Sequence, residues 1–162
     1  MFYQQKKIIT TIISGLLVLS LYCIYAIRKY IELGDGVLDD LVFWSEKMLI
    51  FIGINIIASI VILILFHILL SISIEVKKEM NKDIIDTEMD ETEDEMDKLI
   101  SLKASRNSYV IVGIGFVLAL LSSYLGMPVA IVLNIIFISF MISSIFGDFS
   151  QLYYYKKGVY HG

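Results

Sequence analysis

The stretch that decides the fold is residues 48–74, which read MLIFIGINIIASIVILILFHILLSISI. These 27 residues carry no formal charge at neutral pH, and nineteen of them are Ile, Leu, Val or Phe. As a helix the stretch is about 40 Å long, whereas the hydrocarbon core of a bilayer is about 30 Å thick. It is therefore predicted to be a transmembrane helix that tilts or protrudes at one end.

Two further uncharged stretches predict three more spans. Residues 8–27 are long enough for one helix, and the 41 residues 107–147 are long enough for two. A Gly-Met-Pro turn at 126–128 divides the longer stretch into helices at 108–126 and 128–147. The predicted fold class is all-α: an integral membrane protein with four transmembrane helices in an antiparallel bundle and a helical cytoplasmic extension.

The composition agrees with a single membrane domain. The chain has 162 residues, is 57% hydrophobic and has a net charge of −4. Its bases are scattered and mostly flank the apolar stretches, so no nucleic-acid partner is predicted, and the single cysteine, Cys23, excludes an intrachain disulfide. The first apolar stretch is too long for a signal peptide and lacks a cleavage site, so we expect it to remain as a helix.

The lysines and arginines beside the spans predict the orientation. Ten lie on the side that carries both termini, and three lie on the other: Arg28, Lys29 and Lys47. Both termini are therefore predicted in the cytoplasm, with the protein in the cell membrane. Aromatic residues are expected at the membrane interfaces. The outer interface is predicted to hold Tyr22, Tyr25, Tyr30, Phe43 and Trp44, and the inner interface residues 153–155.

The predicted cytoplasmic loop, 75–106, is strongly acidic, and the predicted outer loop is 28–47. Eight carboxylates of the inner loop form a candidate docking surface for a basic partner, with a solvated linker as the alternative: Asp86, Glu88, Asp90, Glu91, Glu93, Asp94, Glu95 and Asp97. An EF-hand alignment fails because Glu91 occupies the position that needs glycine, and Asp97 the position that needs glutamate. No metal site or cofactor is predicted.

The outer loop has a smaller acidic group: Asp35, Asp39, Asp40 and Glu46. A short helix lying on the outer surface explains these residues, and an external cation-attracting site is the alternative.

Polar residues inside apolar helices are candidates for function. Asn55 and Asn134 are predicted at equal depth and could form a hydrogen bond across the bundle. His67 and Asp148 also share a depth, near the cytoplasmic interface, and a proton-sensitive pair is one interpretation.

Basic residues beside helices three and four are predicted to anchor the topology or contact lipid headgroups: Lys98, Lys103, Arg106, Lys156 and Lys157. Small residues four apart predict close packing within the last hairpin or between subunits of a homo-oligomer. These pairs are Ala119 with Ser123, Ser122 with Gly126, and Ser139 with Ser143.

Residues 90–109 read DETEDEMDKLISLKASRNSY. This segment resembles the acidic run and LIxxKAxR motif that precede helix three in a group of small bacterial four-helix membrane proteins of unknown function. The aromatic-basic tail at 153–158 resembles the end of the same proteins, so the likeness covers roughly the C-terminal half. The chain departs from the group by having Thr92 where arginine is commoner. The resemblance implies a transcription regulator as partner.

Motifs for catalysis are missing from the sequence: there is no HExxH, CxxC, Walker loop or GxSxG. A membrane enzyme is therefore the least favoured hypothesis. The sequence favours a non-enzymatic regulatory or immunity-type membrane protein that docks a cytoplasmic or membrane partner through its acidic loop. A small subunit of a transport or channel assembly is the alternative.

Overall fold

The computed structural model describes residues 3–80 and 95–157. These residues form four α-helices and one 3₁₀ helix, Gly34–Asp39, between the first two. The α-helices are α1 Tyr3–Leu33, α2 Leu41–Met80, α3 Glu95–Tyr124 and α4 Val129–Lys157. All four are long and apolar enough to cross a membrane, which confirms the prediction of four such helices.

The helices are longer than the predicted spans. α3 begins at Glu95 instead of 108, and α4 continues to Lys157 instead of ending at 147. α2 already begins at Leu41, so residues that were expected in a separate surface helix form its first turns. The physical reason is that a charged residue ends a hydrocarbon span without ending a helix, because backbone hydrogen bonds continue in water. Hydropathy therefore predicts which residues lie in hydrocarbon, but it does not predict where the helices end.

Local signals explain where the helices stop. Gly34 and Gly126 both have positive φ, at 67° and 73°, the conformation that terminates a helix and favours glycine. At the end of α3 the Met127 amide donates to the Ser122 carbonyl at 3.1 Å, and the Gly126 amide to Ser123 at 3.0 Å, which is a Schellman motif. The predicted break at 126–128 therefore lies in the turn between α3 and α4.

Helix α4 lies at the centre of the contacts. It packs most extensively against α3, then against α1, and only slightly against α2. Along the α3–α4 contact, Asn107 pairs with Ser150 and Ser108 with Ser143, while Gly115 faces Ser139. Between positions 49 and 69, no residue of α2 is buried.

One compact cluster of buried side chains joins the end of α1 to the starts of α2 and α4. It consists of Tyr22, Trp44, Met48 and Ala130, and we call it the aromatic end. The Tyr22 ring meets Phe51 edge-on at 5.0 Å and lies 4.6 Å from Phe137. Tyr22 is 0% exposed and Trp44 is 2% exposed, so these two rings pack inside the bundle, and their predicted depth at the outer interface stays a prediction. The two rings fill the space where three helices meet.

Candidate functional site

Short side chains bring α3 and α4 together. Gly115 lies so close to Ser139 that a Cβ would overlap the Ser139 side chain. A Cβ on Gly147 would lie 3.0 Å from Ser108 Oγ, and the Ser143 hydroxyl donates to the Ser108 carbonyl at 2.7 Å. Of the predicted small residues, Ala119, Ser122 and Ser143 are buried. These small residues allow the two backbones to approach closely.

The opposite end of the bundle from the aromatic cluster is polar. It contains the first turns of α1 and α3 and the last turns of α4, and we call it the basic end because most of the predicted anchors lie there. The Asn107 amide group donates to Ser150 Oγ at 2.9 Å and to the Tyr154 hydroxyl at 3.0 Å. The Tyr155 hydroxyl donates to the Asp97 carboxylate at 2.6 Å. The α3–α4 pair thus continues beyond the predicted spans.

A polar cleft of about 280 Å³ lies between α3 and α4 at the basic end. The α3 wall presents hydroxyls, and the α4 wall presents a hydroxyl, a carboxyl and an amide. The lining residues are Ser101, Ala104, Ser105 and Ser108 from α3, and Ser144, Gly147, Asp148 and Gln151 from α4. Asp148 is half-buried, and its carboxyl lies beside Thr11 of α1, whose hydroxyl donates to the Ile8 carbonyl at 2.8 Å. Three helices therefore meet around one carboxyl group.

The two predicted pairs of intramembrane polar residues have different surroundings. The side chain of Asn134 is bonded by the Tyr22 hydroxyl at 2.6 Å and itself donates to the Ala130 carbonyl at 2.8 Å, and neither partner is Asn55. Asp148 is surrounded by residues of α1, α3 and α4, whereas His67 is exposed on α2 and contacts the Phe66 ring. The contacts described for Asp148 do not include His67.

Of the eight predicted docking carboxylates, six (Asp86, Glu88, Asp90, Glu91, Glu93 and Asp94) lie outside the described residues. The other two, Glu95 and Asp97, belong to the first turn of α3. Negative charge in that position is favourable because the amide groups at a helix N-terminus are unpaired. Asp97 also accepts the hydrogen bond from Tyr155.

The predicted anchors lie on the helix ends. Lys98 and Arg106 are exposed on α3, Lys103 is half-buried there, and Lys156 and Lys157 occupy the last turn of α4. The Lys157 ammonium donates to the Tyr153 hydroxyl at 2.9 Å.

In the outer acidic group, two carboxylates have local roles. Asp40 accepts a hydrogen bond from the Phe43 amide at 2.9 Å and caps α2, and Glu46 pairs with Lys47 at 2.6 Å. Across residues 3–80 and 95–157, no group of three His, Cys, Asp or Glu side chains could hold a metal ion.

Sequence reasoning identified Asn134 and Asp148 but missed their neighbours on α1, Tyr22 and Thr11. A hydroxyl on α1 is an ordinary feature of an apolar helix, and only packing reveals which of the several hydroxyls there faces α4. Comparisons of the chain with protein-family models, with curated proteins and with solved structures gave no match.

Proposed function

We propose that the four helices cross the cell membrane as an antiparallel bundle with both termini in the cytoplasm. The apolar windows of all four helices support membrane placement. Along the α3–α4 contact, residue numbers fall on α4 as they rise on α3, which supports an antiparallel arrangement. The excess of lysine and arginine at the basic end supports its cytoplasmic location. Reporter tags at the two termini test this, because tags that report opposite compartments contradict it.

Within this placement, the protein acts without catalysis by docking a basic cytoplasmic partner through its acidic segment. The observation that carries this proposal is the Tyr155–Asp97 hydrogen bond. It joins the start of α3 to the tail of α4, so Glu95 and Asp97, the two docking carboxylates among the described residues, lie at the basic end. The resemblance to small four-helix membrane proteins favours a transcription regulator as the partner.

The test is a variant that keeps the length of the segment and neutralises four of its carboxylates: Glu88→Gln, Asp90→Asn, Glu91→Gln and Glu93→Gln. A matched control neutralises four carboxylates near the opposite end: Asp35→Asn, Asp39→Asn, Asp40→Asn and Glu46→Gln. Interactors are cross-linked in membranes, purified with each variant and identified by mass spectrometry. We expect a basic interactor to be captured by wild type and the control and lost from the first variant. Equal capture by all three chains contradicts the proposal.

A second candidate function is a small subunit of a transport or channel assembly, including a homo-oligomer. One observation favours it: no residue of α2 between positions 49 and 69 is buried within the chain, so this part of the helix is available to lipid or to another subunit. Measurement of ion flux in liposomes tests this candidate. Flux above the level of empty liposomes supports it, and a wild-type chain that conducts nothing removes the channel function.

A further inference from the structure

The half-buried carboxyl of Asp148 lacks an ionic partner in the described part of the chain. The ion pairs formed there join Lys29 with Glu32 and Lys47 with Glu46, both remote from the cleft in sequence. The neighbouring hydroxyl of Thr11 is neutral, and it donates its hydrogen to the Ile8 carbonyl at 2.8 Å. A carboxylate at the edge of a hydrocarbon span is costly without a compensating positive charge. The site is therefore suited to a cationic ligand.

The other walls of the cleft supply hydrogen-bonding groups. The hydroxyls of Ser101, Ser105 and Ser144 make no hydrogen bond within the described residues, and all three residues are exposed. Hydroxyls donate readily to phosphate oxygens, and the Gln151 amide can donate or accept. The cleft thus offers donors for an anionic group alongside one acceptor carboxylate for a cationic group.

The size of the cleft favours a ligand larger than an ion. Ser101 and Ser108 are seven residues apart on α3, which corresponds to about 10 Å along a helix. A calcium or magnesium ion needs six or more oxygens at about 2.0–2.6 Å, and a cleft of about 280 Å³ with a single carboxylate does not supply that arrangement.

The cleft also lies at the level of lipid headgroups in the proposed placement. Ser108 and Gly147 stand at the predicted cytoplasmic limits of helices three and four, and both line the cleft. α1 and α3 each pack on α4 without forming a packed pair with one another among the described residues, so the Asp148 region is flanked by two separate helices. A lipid headgroup can therefore approach laterally between them.

We propose that this cleft binds the headgroup of a phospholipid that carries a primary ammonium group. The ammonium donates to the Asp148 carboxylate, and the phosphate oxygens accept from the serine hydroxyls. A trimethylated ammonium has no N–H to donate, and an anionic glycerol headgroup brings no positive charge to Asp148. The inference rests on the membrane placement proposed above and is independent of the acidic segment.

Native mass spectrometry of the full chain in mild detergent tests the proposal. Phosphatidylethanolamine, phosphatidylcholine and phosphatidylglycerol with identical acyl chains are titrated against wild type, Asp148→Asn and the control Glu46→Gln. We expect wild type and the control to bind phosphatidylethanolamine about tenfold more tightly than the other two lipids, the factor that one charge-assisted hydrogen bond provides. Asp148→Asn is expected to bind all three lipids equally.

A second variant, Ser105→Leu, fills the cleft from its exposed side and leaves the Asp148 carboxyl in place. We expect Ser105→Leu also to lose the preference for phosphatidylethanolamine. This variant therefore tests the proposal even if Asp148→Asn does not fold. Retention of the preference by a folded Asp148→Asn or by Ser105→Leu overturns the proposal, as does equal binding of the three lipids by wild type. Displacement of the lipid by millimolar ethanolamine or sodium chloride also overturns it, because the site then takes a soluble cation. These outcomes do not depend on the cross-linking test of the acidic segment, so the docking proposal can fail while the headgroup proposal holds.

Discussion

The aromatic end and the basic end of the bundle are assembled by different means. At the aromatic end, large rings fill the space between three helices, and the hydrogen bond from Tyr22 to Asn134 lies among them. At the basic end, short side chains bring α3 and α4 together, several hydrogen bonds connect them, and a cleft remains beside Asp148. The comparison indicates that packed side-chain volume stabilises one end, while polar contacts between short side chains connect the other end and leave a cleft open.

The largest expected effect is at the aromatic end. Trp44→Ala removes a ring that is 2% exposed and leaves a cavity, so we expect a loss of about 3–5 kcal/mol in the free energy of unfolding. The neighbouring Val42 is 76% exposed, and Val42→Ala is the control with little expected change. Reversible denaturation in detergent micelles measures both. A Trp44→Ala chain as stable as the control contradicts a core made by these rings.

The next effect concerns the close approach of α3 and α4. Gly115→Ala places a Cβ against Ser139, which forces the helices apart, and we expect a cost of about 1–3 kcal/mol. A Cβ at Gly113 would meet no side chain and no neighbouring helix within 4 Å, so Gly113→Ala is expected to be neutral or slightly stabilising. The same denaturation measurement applies. If the two alanine variants were equally stable, the described α3–α4 spacing would be incorrect.

Two variants that each remove a tyrosine hydroxyl, one at each end of the bundle, compare the strengths of the hydrogen bonds at the two ends. Tyr22 is fully buried and Asn134 is half-buried, so Tyr22→Phe leaves the Asn134 oxygen without its donor among packed rings, and we expect a cost of about 1–2 kcal/mol. Tyr155→Phe affects a half-buried bond near water, and we expect about 0.5 kcal/mol. Hydrogen exchange is expected to increase at the start of α3 in Tyr155→Phe alone. Equal costs for the two variants contradict the difference in burial.

The smallest effect compares two serines that are each 5% exposed, Ser14 and Ser143. The Ser143 hydroxyl donates to the Ser108 carbonyl, whereas the Ser14 hydroxyl is buried with no hydrogen-bond partner among the described residues. We expect Ser143→Ala to cost about 0.5 kcal/mol and Ser14→Ala to stabilise by a similar amount. Thermal denaturation in nanodiscs shows whether each variant is more or less stable than wild type. A destabilised Ser14→Ala chain would show that the Ser14 hydroxyl has a hydrogen-bond partner.

The number of helices was predictable because a bilayer imposes a length on apolar stretches. Their ends were not, because residues such as Asp97 and Tyr155 lie beyond the apolar stretch and stay helical through contacts between α3 and α4. The turn at Gly126 was predictable since glycine favours the positive φ found there.

The site was predictable only in part. Asn134 and Asp148 stand out as polar residues in or beside apolar helices, and a sequence pattern is sufficient to find them. Their partners depend on which helices are neighbours. The depth argument paired α4 with α2, through Asn55 and His67, but α4 packs mainly against α3 and α1. Depth along a bilayer normal is one coordinate, and it carries no information about the arrangement of helices in the membrane plane.

The central position of α4 has a consequence for chain connectivity. The two halves of the polypeptide, one ending with α2 and the other starting with α3, meet chiefly through the contact of α1 with α4. That contact includes the Tyr22–Asn134 hydrogen bond and the surroundings of Asp148. A protease cut between Met80 and Glu95 would therefore leave the fragments associated as a noncovalent complex, and the halves could be produced as separate polypeptides that reassemble.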